Sequence, residues 1–135
     1  MIDQIYKTKN IDINQLKNDS PLDQWFITMV MKRENELDIL DISRMLRQDL
    51  FPDITIPLVW KILRENPFEG EMYEGQLLEL LIRYLIKNPK KKNKEDYFAL
   101  KNQIRLKQSE YFKDDLEGKA DYEKLVNKLE VLFDR

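Results

Sequence analysis

Apolar residues recur at three- and four-residue spacing along most of the chain, and no alternating β-branched run interrupts them, a pattern that predicts an all-α fold. The clearest helix start is Ser20-Pro21-Leu22-Asp23, with Ser20 as cap, Pro21 at the first helical position and Asp23 completing a capping box. Leu22, Trp25, Phe26, Met29 and Val30 then share one face. Before it, Asp12 caps a short turn through residues 13–17. Further on, Asp41 is read as the cap of a short helix burying Ile42, Met45 and Leu46. Thr55 caps the next one, with Pro57 in its first turn, Leu58, Val59, Ile62 and Leu63 inward, and Trp60 partly buried. That helix stops before Pro67.

The stretch NPFEGEMYEGQLLELL, residues 66–81, forms a turn and then enters a segment apolar around most of its circumference, as expected of a central helix. A long polar helix follows from about Lys94 to Leu116, with Tyr97, Leu100, Ile104 and Tyr111 inside and Gly118 ending it. The last helix carries Tyr122, Leu125, Val126, Leu129 and Leu132 or Phe133 on its inner stripe. With no repeat or composition break, the expectation is one compact domain over residues 1–135, a bundle of about six or seven helices.

Composition narrows the function. Cysteine and histidine are both absent from the 135 residues, which removes the thiolate nucleophile, the imidazole base and the commonest transition-metal ligands. No stretch reaches the roughly 20 apolar residues of a membrane span, and the first twenty residues lack the apolar middle of a signal peptide. A cytoplasmic protein is expected. The net charge of −2 hides a polarity: from Glu34 to Glu79 eleven acidic residues face four basic ones, so this segment carries −7 and the remainder +5. Much of the positive charge sits in residues 87–94, followed by Lys101, Arg105 and Lys107.

The densest carboxylates, Glu65, Glu69, Glu71 and Glu74, cluster around the turn, with Asp53 a candidate neighbour. As general acid and base they would need a cleft that raises one pKa, and as magnesium ligands a convergence with phosphate. A solvated turn is the simpler reading, and the sequence offers no catalytic set, cofactor motif or metal-ligand spacing. Tyr73, beside these carboxylates, is instead a suitable anchor for a basic protein surface. The lysines of 87–107 support an alternative, a small helical nucleic-acid-binding or adaptor protein. No aromatic residue interleaves with them before Tyr97, and no helix-turn-helix spacing accompanies them.

The run from Leu37 to Tyr84 resembles the helical immunity proteins of bacterial contact-dependent growth inhibition (CDI) systems. Gln48 ends a short helix, Pro57-Leu58 open the next, and Asn66-Pro67 close it. Glu69-Gly70-Glu71 and Tyr73 make an acidic turn, and Gln76-Leu77-Leu78 begin the apolar helix. Where the family often has glycine-aspartate before the paired leucines, this chain has Gly75-Gln76; residues 90–135 carry none of the family's motifs. The resemblance implies a protein that binds and neutralises the C-terminal domain of a cognate toxin, commonly a nuclease, by covering its active surface. It implies no enzymatic activity. Asp53, Glu69, Glu71, Tyr73 and Glu74 are the interface candidates, and a −7 segment would steer toward a basic nuclease. The oligomeric state is left open.

Overall fold

The computed structural model describes residues 2–134. Among them seven α-helices follow one another: α1 (Ile5–Thr8), α2 (Pro21–Met31), α3 (Ile39–Arg47), α4 (Pro52–Glu65), α5 (Gln76–Lys87), α6 (Lys94–Tyr111) and α7 (Leu116–Phe133). Short 3-10 turns lie at Ile13–Gln15, Glu34–Glu36 and Pro89–Lys91. No strand occurs among the described residues; one isolated antiparallel bridge joins Gln4 to Arg33. The fold is all-α, and its contacts divide into two compact units, residues 1–41 and 42–135.

In the first unit α1 packs on α2, and the amide of buried Ile5 donates to the Lys32 carbonyl at 2.9 Å. Ser20 caps α2 as its sequence predicts, accepting from the Asp23 amide at 3.1 Å. Asp23 reaches back one residue further than a capping box requires, to the Asp19 amide at 3.2 Å. Met29 and Val30 are buried, whereas Leu22 is 47% exposed: at the helix entrance it lies off the stripe the spacing assigned to it.

The cap of α3 is Asp38, three residues before the expected one. Asp38 accepts from the Asp41 amide at 2.8 Å, and the Asp41 carboxylate accepts from the Asp38 amide at 3.2 Å, the reciprocal pair of a capping box. Asp41 is thereby turned inward, 3% exposed, where the Trp25 indole N–H (2.9 Å) and the Lys32 ammonium (2.7 Å) both donate to it. Burial pushes this carboxyl up, but the bonds from Lys32 and Trp25 outweigh burial and leave its pKa below the ordinary value. Lys32 is raised in turn, chiefly by its hydrogen bond to Asp41.

In the second unit α3 ends in a Schellman turn. Asp49 adopts the left-handed region (φ 55°), and the Leu50 amide returns to the Met45 carbonyl at 2.9 Å. Phe51, also left-handed at φ 44°, then turns the chain directly into Pro52, whose fixed φ starts α4. Thr55 is therefore inside α4 rather than its cap, and its buried hydroxyl donates to the Leu50 (2.9 Å) and Phe51 (3.1 Å) carbonyls. Pro57 falls in the second turn. Trp60 is 2% exposed, deeper than its position between inward-facing neighbours suggested.

α5 is the central helix, with Leu77, Leu78, Leu81 and Leu85 fully buried; it packs on α4 and α7, and α6 packs on α4 and α7. Gly118 does not end α6. That helix stops at Tyr111, Phe112 takes the buried place expected for Tyr111, and Gly118 lies in the first turn of α7, where its amide donates to the capping Asp115 carboxylate at 2.9 Å.

Because the folded Asp41 holds its charge to lower pH than the unfolded chain does, its contribution is complete above the unfolded pKa. It disappears as pH falls through the folded one. Asp41→Asn should cost about 1–3 kcal/mol at neutral pH and flatten the acid limb of the stability curve below about pH 5. Urea melts across that range are the check.

Candidate functional site

Between α4 and α5 the chain has ten residues, 66–75, to reverse direction, and it does so around one side chain. Asn66 ends α4, its carboxamide oxygen accepting from the Phe68 amide at 3.2 Å and its N–H donating to Glu69 at 2.8 Å. Pro67 stops the helix, and its carbonyl accepts from the buried Tyr122 hydroxyl at 2.7 Å. Phe68 drops inward, 4% exposed, against three rings. Tyr111 stacks on it at a centroid distance of 4.0 Å, while Tyr122 (5.0 Å) and Phe112 (5.3 Å) meet it edge-on.

The two ends of the loop are then tied together. The Gly75 amide donates to the Phe68 carbonyl at 2.9 Å, and the Leu77 amide to the Glu69 carbonyl at 3.1 Å. Gln76, 5% exposed, folds back so that its side-chain oxygen accepts from the Met72 amide at 2.8 Å. This bond closes the loop rather than capping α5, whose N-cap, Gly75, has no side-chain cap. Two glycines are required on steric grounds. Gly75 has φ 83°, and a Cβ there would press on Tyr122 and Leu125 at 3.1 Å; at Gly70 a Cβ would collide with the Tyr73 carbonyl.

A fixed loop presents fixed groups. Met72 (78% exposed) and Tyr73 stand outward at its tip. Of the carboxylates, Glu71 pairs with Arg47 at 3.2 Å, and Glu79, which accepts from the Tyr73 hydroxyl at 2.8 Å, pairs with Arg83 at 2.7 Å. Glu69 and Glu74 are held by neutral donors instead, Asn66 and the Tyr111 hydroxyl (2.8 Å), so no cation offsets them in those bonds. Burial first, then the Glu74 hydrogen bond and the charges of Glu74 and Glu69, push the Tyr111 hydroxyl up to about 12. Tyr73 is raised by burial and by Glu79.

Alongside runs a cleft of about 570 Å³, with Tyr73, Glu74 and Glu79 on one side and Asp115, Asp121, Lys124 and Lys128 of the α7 region on the other. Among the described residues, no group of three or more carboxylates is placed to hold a metal ion.

Four of the five sequence candidates, Glu69, Glu71, Tyr73 and Glu74, therefore share this loop. Asp53 does not join them. It lies in the first turn of α4, in a depression with Pro57, Tyr84 and Lys91, and Tyr84 is about 12 Å along α5 from Gln76. Residues the sequence reading passed over are Met72, whose exposure between two glycines was its only signal, and Tyr111, whose helical spacing argued for the interior. The basic run is divided: Lys92 donates to the Leu132 carbonyl at 2.8 Å and Lys101 lies over the Tyr97 ring, while Lys87, Lys90, Lys91 and Lys94 are exposed.

Fold and site together define a small all-helical protein with a carboxylate-rich loop tied by internal hydrogen bonds over a cluster of aromatic rings. The sequence model of the CDI immunity proteins matches residues 7–98, and the chain belongs to that family. Neither a curated protein nor a solved structure matches it. Membership makes toxin neutralisation its class of function, in a family that is generally non-enzymatic. No described helix is long and apolar enough to cross a membrane.

Gly70→Ala should destabilise the chain by about 3 kcal/mol, lowering the thermal midpoint by about 10 °C. Thermal melts followed by circular dichroism would detect this, and an unchanged midpoint would mean that the loop yields at no cost.

Proposed function

We propose that the chain binds the C-terminal domain of a CDI toxin, a nuclease, in the cytoplasm, and neutralises it by laying the 66–75 loop across the toxin's nucleic-acid-binding surface. The observation that carries this reading is that Glu69 and Glu74 keep their charges uncancelled by the bonds that fix them. A carboxylate already oriented by a neutral donor offers its remaining lone pairs to an arginine or lysine without first breaking an ion pair. Tyr73 and Met72 supply the apolar centre that charges alone lack. The cleft beside the loop has room for a basic side chain entering between Tyr73 and α7.

Glu71 belongs to the rim of this surface, where it already pairs with Arg47 at 3.2 Å. Asp53 would touch the same partner only if the interface extended two helical turns along α5. Coverage of this kind needs no chemistry from the immunity protein. A nuclease that binds a polyanion is blocked by any acidic surface that reaches its cationic groups first, and the −7 segment speeds that encounter.

The test uses the cognate toxin domain, made catalytically inactive. The double charge reversal Glu69→Lys with Glu74→Lys should weaken its binding by about a hundredfold or more, mostly through slower association, and wild-type affinity should fall as salt rises. Binding that is undiminished in a variant of normal melting temperature would remove the loop from the interface.

A further inference from the structure

The aromatic side chains that pack against the loop from beneath lie outside the part of the chain that matches the family. The match ends at residue 98, and Tyr111, Phe112, Tyr122 and Leu125 come after it. Tyr111 covers Phe68 with its ring and holds Glu74 with its hydroxyl. Tyr122 fixes the Pro67 carbonyl from below, and with Leu125 stands where any side chain at position 75 would have to go. Inside the matched part the loop is held by bonds within residues 66–77, by Arg47 on Glu71 and by Glu79 on the Tyr73 hydroxyl.

We infer that Tyr111 is a positioning residue for partner recognition: the end of α6 sets the orientation of Glu74 and the outer face of the loop, and so determines which toxin surface the loop fits. The inference rests on the reading of the loop as the toxin interface. Tyr111 is well placed for this task because its two functions are separable. The ring, stacked on Phe68, belongs to the packing, and 45% of the residue remains at the surface. The hydroxyl makes one bond, to a carboxylate that has no other donor among the bonds of the described residues. Removing the oxygen alone frees Glu74 to swing while leaving its charge and the aromatic stack in place. A carboxylate that must be ordered at the moment of binding contributes less affinity than one ordered beforehand.

Tyr111→Phe should therefore retain the wild-type melting temperature and weaken the inactivated toxin domain's binding by about five- to tenfold. Its dependence of affinity on salt should keep the wild-type slope, since no charge is removed, whereas Glu74→Gln should give a shallower one. The loss in the double variant of Tyr111→Phe with Glu74→Ala should equal that of Glu74→Ala alone, because the tyrosine acts through the glutamate. Wild-type affinity in Tyr111→Phe, or losses that add in the double variant, would overturn the inference. If the wild-type chain itself fails to bind, the interface reading falls. Positioning is then read separately from amide exchange at Gly75, whose bond to Phe68 should open several-fold more often in Tyr111→Phe; unchanged exchange there overturns it too.

Discussion

The second unit is organised by the burial of Phe68. A chain leaving α4 at Pro67 has a free carbonyl and a large apolar ring to place, and the same three aromatic side chains solve both problems. A buried Phe ring stabilises by about 2–3 kcal/mol through its area alone, and edge-on and stacked neighbours add to that. Once the ring is in, the loop has little freedom left. Its ends are within hydrogen-bonding distance, Gly75 must take a positive φ, and the carboxylates point outward because the interior is filled. The acidic surface is thus a consequence of packing beneath it.

The molecule carries two kinds of negative charge. Asp41 is buried, paired and structural, and its role ends with holding the start of α3 to Lys32 and Trp25. Glu71 and Glu79 are anchored by arginines at the rim of the loop. Glu69 and Glu74 keep their charge available. The sequence count of −7 treats all of these alike, and only their bonding partners distinguish a carboxylate that stabilises the fold from one that can serve a partner.

The helices were legible because each depends on short-range chemistry. Ser20-Pro21, Asn66-Pro67 and the apolar run of α5 state their roles locally, and the structure agrees. The failures share a cause. Asp41 passes for a cap until Asp38, three residues earlier, is seen to bond it reciprocally. Gly118 passes for a helix stop until Asp115 is seen to cap the helix it lies in. Tyr111 and Phe112 are adjacent, so helical spacing alone cannot say which one turns inward, and the choice is made by Phe68, more than forty positions earlier in the chain. The clustering of Glu69, Glu71, Tyr73 and Glu74 needed only proximity in sequence, whereas the separation of Asp53 from them required the length of a helix.

The two tryptophans fall one to each compact unit, and their surroundings differ. Trp25 donates its indole N–H to a carboxylate and is half-buried. Trp60 is almost wholly enclosed, edge-on to Phe133, and its N–H makes no hydrogen bond among the described residues. An indole bonded to a polar acceptor emits further to the red than one in dry surroundings. The intrinsic fluorescence of the chain therefore carries one indole from residues 1–41 and one from 42–135, in different surroundings. Whether the two units melt together can be read optically without attaching any label.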